Sequence, residues 1–218
     1  MRTKLLSVTL FVMLTAVSTA FAQGDYVERG RGGVQAGGGA RLNSDINVFE
    51  AGFSSNFFDY FELGLAFGAS LDSDNPSVSY LKPSLVLYPT KYEKVNLPVS
   101  FAFEFTHTEY DYSYDDGSIT DIDSYTRSAG GFLYRNFRLT PTADMQLRAG
   151  YAYKWGYFGN HRTVGRDIDE WVGSGGLSVF KAVNERTVLR FDIGLENEDS
   201  ETTVYFRAGL LRIFSGGA

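Results

Sequence analysis

Ser124, His107 and Glu109 are the residues of this chain whose types could do covalent chemistry. The pair Asp116–Gly117 suits a two-residue hairpin turn, which sets Asp115 opposite Ser118. Continuing that register puts Glu109 opposite Ser124 and His107 opposite Thr126. By parity His107 follows Phe101, Phe103 and Phe105 on one face. The chemistry would be acyl-ester cleavage, with Ser124 as nucleophile, His107 as base and Glu109 orienting the imidazole. A slip of one residue would turn Ser124 to the other face. The simpler reading leaves all three as polar side chains standing above an apolar band. We adopt it and assign no catalytic residue.

The other chemistry-bearing residues are equally sparse. His161 stands in Gly159–Glu170 (GNHRTVGRDIDE), a segment that reads as a solvated loop, with no partner at metal-ligand spacing. Asp111, Asp115, Asp116, Asp121 and Asp123 gather near one hairpin, and Asp167, Asp169 and Glu170 near another. Both read as acidic rims in water, with weak bridging of Ca²⁺ or Mg²⁺ as the alternative. Gly30–Gly39 (GRGGVQAGGG) lacks the lysine and the strand-to-helix context of a phosphate loop. No metal or cofactor site is assigned.

The elements that carry these residues are strands. Val188–Glu196 puts Leu189, Phe191, Ile193 and Leu195 on one face and Arg190, Asp192, Gly194 and Glu196 on the other. Met145–Tyr157, Phe61–Leu71 and Leu97–Phe105 alternate in the same way. Weaker copies lie near 31–42, 46–56, 78–89, 122–137, 171–182 and 202–214. The count is ten strands, with eight as the alternative. Most run about 10–13 residues, the length of a tilted membrane-spanning strand and longer than a common soluble one. Connections alternate between short (Asn56–Tyr60, Thr90–Asn96, Leu139–Asp144, Val183–Thr187) and mostly longer, acidic ones (Asp72–Pro76, Tyr112–Asp121, Gly159–Glu170, Asn197–Glu201).

Polarity decides which face is inside. The second face carries Arg41, Glu50, Glu62, Lys82, Glu104, Arg127, Arg135, Arg148, Lys154, Arg190, Asp192, Glu196 and Arg207, eight bases and five acids among many Gly, Ala and Ser. In a narrow closed barrel, small residues leave room for long charged ones, which pair. The apolar face then needs lipid around it, and closure removes the edges that hydrocarbon would not tolerate. A secreted β-sandwich or lipocalin-like barrel is the alternative. Aromatics at Tyr151, Tyr153, Trp155, Tyr157 and Phe158, and at Phe57, Phe58, Tyr60 and Phe61, fit two interfacial girdles.

Composition agrees. Residues 1–22 carry Arg2 and Lys4, an apolar run from Leu5 to Val17 and an Ala20-x-Ala22 exit, the pattern of a cleaved export signal. Residues 23–218 then form one domain. Without Arg2 and Lys4, 18 bases face 26 acids, which argues against nucleic acid as a partner. The absence of cysteine excludes disulfides and thiolate metal sites.

Phe57–Ser70 (FFDYFELGLAFGAS) and SYLKPSLVLYP, followed by a short turn and LPVSFAFEF, resemble the small bacterial outer-membrane β-barrel families. The resemblance implies an all-β, closed, antiparallel up-and-down transmembrane barrel in the outer membrane of a double-membraned bacterium. It implies outer-membrane lipids and lipopolysaccharide, periplasmic chaperones and the barrel-assembly machinery as partners of a monomer. That machinery would read a terminal aromatic, a part played here by Phe214 with Phe206, Ala208 and Leu210 on its face and Arg212 interrupting them. The role implied is structural, surface-interactive or adhesive, without catalysis. A narrow or gated channel is the second expectation. A lipid A-modifying enzyme built on Ser124, His107 and Glu109 is the third, since outward Ser/His/acid sites occur in such barrels. The likeness to omptin proteases extends to strand number alone.

Overall fold

The computed structural model describes residues 32–42, 47–57, 60–71, 77–90, 99–113, 123–160, 164–198 and 201–214. The proposed export signal, His161, Asp115, Asp116, Asp121 and the Asp116–Gly117 pair lie outside them. Ten strands follow in order: β1 Gly32–Leu42, β2 Val48–Phe57, β3 Phe61–Ser70, β4 Ser77–Thr90, β5 Ser100–Ser113, β6 Asp123–Thr140, β7 Ala143–Asn160, β8 Val164–Asn184, β9 Thr187–Glu198 and β10 Glu201–Phe214. Each pairs antiparallel with its chain neighbour, and β10 closes on β1 from Gly32↔Phe214 to Leu42↔Val204. No edge strand is left. The eight-strand alternative is set aside by this count.

The stagger of the wall follows from the pairing. From Gly38, one walk runs through Ala51, Phe67, Leu81, Glu109, Tyr125 and Tyr157 to Asp167. The opposite walk runs through Ala208 and Phe191 to Val179. The two meet β8 twelve residues apart (179 less 167), and such a stagger tilts every strand against the barrel axis. One rim carries the β2–β3, β4–β5, β6–β7 and β8–β9 connections and both ends of the barrel chain; we call it the turn end, and the opposite rim the loop end.

Two sequence expectations change. β8 begins at Val164 rather than near 171, so much of Gly159–Glu170 is paired ladder, from Asn160↔Val164 to Lys154↔Glu170. Likewise β5 runs to Ser113, two residues into the expected Tyr112–Asp121 connection. Alternation is legible only where one face meets hydrocarbon. Beyond that band both faces accept polar residues while hydrogen bonding continues.

The second correction is the parity of β6. Glu109 pairs with Tyr125, His107 with Arg127 and Tyr110 with Ser124, one residue from the expected register. Ser124, Thr126, Ser128, Phe132 and Tyr134 therefore point into the barrel, and Arg127 and Arg135 point out. Period two makes such a slip all-or-none for the strand. β6 gave no warning of it, because it carries aromatics on both faces.

Candidate functional site

The inner surface is where the chain concentrates polar chemistry. Among the described residues, six bases (Arg41, Lys82, Arg148, Lys154, Arg190, Arg207) and seven acids (Glu50, Glu62, Glu104, Glu170, Asp192, Glu196, Glu198) are buried there. Eleven of the thirteen expected lumenal charges take that place. Arg127 and Arg135 leave the list, and Glu170 and Glu198 join it, so the interior moves from an excess of bases to near balance. Glu198 was within reach of the sequence: the alternation Arg190, Asp192, Gly194, Glu196 needs only one more step.

Glycines let these side chains meet. Arg207 pairs with Gly39, and Gly39 with Glu50. Glu50 pairs with Gly68, and Gly68 with Tyr80. Along that row Arg207 reaches over Gly39 to Glu50 (Nη2–Oε1 2.8 Å), and Tyr80 reaches over Gly68 to donate to Glu50 Oε2 at 2.6 Å. A Cβ on Gly39 would lie 2.8 Å from Arg207 Cγ, and one on Gly68 would lie 2.1 Å from the Tyr80 ring. The long side chains thus lie flat along the wall instead of standing in the bore.

Other pairs complete the interior. Arg41 binds Glu196, and Lys154 binds Glu170 and, at 2.9 Å, Glu198. Arg190 Nε donates to Asp192 Oδ1 at 2.7 Å, and Tyr88 donates to Glu62 at 3.0 Å. Removing charges from water costs several kcal/mol per ion, and pairing is what makes burial tolerable.

Both ends of the lumen also hold clusters of buried aromatic and aliphatic side chains. At the loop end Val48, Val78, Tyr80, Tyr110, Tyr112, Phe158 and Ile168 form one cluster drawn from β2, β4, β5, β7 and β8. Tyr112 meets Phe158 edge-on at 5.5 Å. Toward the turn end lie Val86, Tyr88, Ala102, Phe132 and Tyr134 on one side and Phe180, Val188, Leu211 and Ile213 on the other.

The proposed nucleophile does not meet its base. Ser124 is buried inside, opposite Tyr110, whereas His107 and Glu109 lie on the outer face. The structure does bring His107 to Glu109, with Nε2–Oε1 at 3.2 Å. Arg127 Nε approaches His107 Nδ1 at 3.4 Å, and its guanidinium lies 5.1 Å over the Tyr125 ring. Asp111, Asp167 and Asp169 are exposed, and Tyr153 donates to Asp169 Oδ1 at 2.6 Å. Among the described residues no three His, Asp or Glu side chains are arranged to hold a metal ion.

The outer wall is the reverse of a soluble surface. Phe53, Phe191, Leu195 and Trp171 are each more than half exposed, while Lys154 and Glu62 have no exposed surface. Toward the loop end Tyr151 stacks on Trp171 at 5.1 Å and Tyr153 on Trp155 at 5.8 Å; Phe57 stacks on Phe61 at 4.9 Å at a turn. These are the two aromatic girdles of a membrane barrel, less Phe158, which turns into the lumen, and Phe58, which lies outside the described residues. The fold is that of an outer-membrane β-barrel.

No family model and no curated protein matches the chain. Solved structures similar to it are barrels. The N-terminal β-barrel domain of Pseudomonas aeruginosa OprF is 10% identical over 85% of this chain and 98% of that domain, with a TM-score of 0.39. Neisserial surface protein A is 12% identical over 84% of this chain and 95% of its own, with a TM-score of 0.40. The translocator domain of the Neisseria meningitidis autotransporter NalP is 12% identical over 97% of both chains, with a TM-score of 0.46. The likeness is one of fold.

Proposed function

We propose that the chain is an integral, non-conducting barrel of a bacterial outer membrane, with a structural or surface-interaction role and no catalysis. The observation that carries this reading is the near-zero exposure of Lys82, Lys154, Glu62 and Arg190 inside the lumen. A water-filled channel would wet such groups. Ten strands also enclose far less space than the sixteen or so of a porin. The paired charges act as a polar filling, and the work of the protein falls to its rims and loops.

Export, folding by periplasmic chaperones and insertion by the barrel-assembly machinery complete the proposal. Phe214, exposed on β10 beyond Leu210 and Arg212, is the aromatic that the machinery would read. Lipopolysaccharide would surround the loop end of a monomer. Planar-bilayer recording of the refolded chain tests the central point. No discrete current steps are expected, and steady unit conductance would establish the gated-channel reading in its place. Heat-modifiable migration of the outer-membrane fraction tests the location.

A further inference from the structure

The outward bases of this barrel are unevenly placed. Among the described residues none lies on β1–β5, where Arg41 and Lys82 both point inward. At the turn end of β6–β10 stand Arg135, Arg138, Lys181, Arg186 and Arg212, all exposed. The carboxylates among them are Asp144, which binds Arg138 (Oδ1–Nε 2.5 Å), and Glu185.

Three of these bases share a pattern. Arg135, Lys181 and Arg212 are each followed two residues on, toward the rim, by an apolar side chain on the same outward face: Phe137, Val183 and Phe214. All three apolar side chains are exposed. The cations therefore sit with apolar groups on both sides of them along the strand, at the edge of the hydrocarbon and not out in bulk water. Each is held by a neutral partner. Lys181 Nζ donates to Thr142 Oγ1 at 2.7 Å, Arg212 Nη1 donates to Thr187 Oγ1 at 2.6 Å, and the Arg135 guanidinium lies 5.4 Å over the Phe137 ring. Hydroxyls and rings orient a cation without neutralising it.

We infer that this half of the turn end is a binding surface for anionic phospholipids, whose headgroup phosphates the three bases engage. It rests on the membrane-barrel reading and adds a partner to it. An acidic soluble protein fits less well, because it would have to approach past Phe137, Val183 and Phe214, which a lipid acyl region accommodates. A phosphate diester without a compensating amine supplies the missing negative charge at that depth. Among the described residues of β1–β5, Phe57, Phe61 and Leu63 face outward near the same rim with no base beside them.

The test uses the full barrel in nanodiscs of phosphatidylethanolamine with a minor share of phosphatidylglycerol. Lipid retained on the protein is read by native mass spectrometry. The wild type should enrich phosphatidylglycerol. The triple variant Arg135→Gln, Lys181→Gln, Arg212→Gln should lose that enrichment, at about fivefold per base removed. The charge-conserving set Arg135→Lys, Lys181→Arg, Arg212→Lys should keep most of it. Equal enrichment in wild type and the neutral variant, or equal loss in both variants, overturns the inference. Heat-modifiable migration of all three proteins keeps a failed lipid site distinct from a failed barrel.

Discussion

The hydroxyl of Tyr205 on β10 meets the guanidinium of Arg148 on β7 at 2.6 Å, three strands away around the wall. The row between them is Tyr205↔Gly194, Gly194↔Gly176 and Gly176↔Arg148. Two consecutive glycines clear the path, so the tyrosine ring lies along the barrel wall. Arg148 and Arg207 flank that ring at 5.7 and 4.8 Å. Gly39, Gly68, Gly176 and Gly194 are thus positions of close approach, each lying under a long neighbouring side chain.

Gly194→Ala tests that match directly. A Cβ there would come within 2.1 Å of Tyr205 Oη and 2.2 Å of Cζ, and a ring fixed by Arg148 cannot move aside cheaply. Overpacking should cost about 1–3 kcal/mol, read as a lower urea midpoint in detergent micelles. Adding Tyr205→Ala should return part of the loss. An unchanged midpoint for the single variant would remove the ring from the row.

Arg207→Met should be worse than Arg207→Met with Glu50→Gln. The single change leaves Glu50 buried with Tyr80 as its remaining close hydrogen-bond donor, and breaking one side of a buried pair costs about 3–5 kcal/mol. The double change removes the charge as well. Denaturant unfolding of the four proteins of that cycle measures the coupling, and additivity would mean the pair is not formed.

Neighbouring residues of β9 should behave oppositely. Phe191 is half exposed on the outer wall, and Asp192 is buried with Arg190. Phe191→Asp sets a carboxylate against hydrocarbon and should block insertion into lipid vesicles. Asp192→Asn keeps an acceptor for Arg190 and should insert with reduced stability. Equal insertion yields would show the faces to be reversed.

Ser124 should be chemically silent. It lies inside the wall while His107 lies outside, so no base reaches its hydroxyl. A fluorophosphonate probe should leave the folded barrel unlabelled, and Ser124→Ala should fold as the wild type does. Labelling that disappears in Ser124→Ala would restore the hydrolase reading.

The sequence shows most of the wall because lipid imposes a strict period of two. Leu189 through Leu195 and Phe61 through Ala69 could each be read alone. β6 could not, since Phe132 and Tyr134 face inward while Leu133 and Phe137 face outward, and size and polarity fail to tell its sides apart. Its register depends on the connection from β5, where the expected Asp–Gly turn gave the wrong phase. The upper part of β8 was hidden for another reason: Asp167, Asp169 and Glu170 look like loop acids, yet Glu170 turns inward to Lys154. The basic turn end was present as single residues, and only the topology gathers Arg135, Lys181 and Arg212 on one side.

The β7–β8 ladder runs unbroken from Ala143↔Lys181 to Asn160↔Val164, whereas β2 and β3 are ten residues each. A partner that pulls on the tip of that hairpin pulls off the barrel axis. The load becomes a torque, and the barrel rocks in the bilayer before it lifts. Resistance then falls to the opposite rim of the same staves, where Lys181 stands on β8. This barrel is mechanically a lever with its grip at the foot.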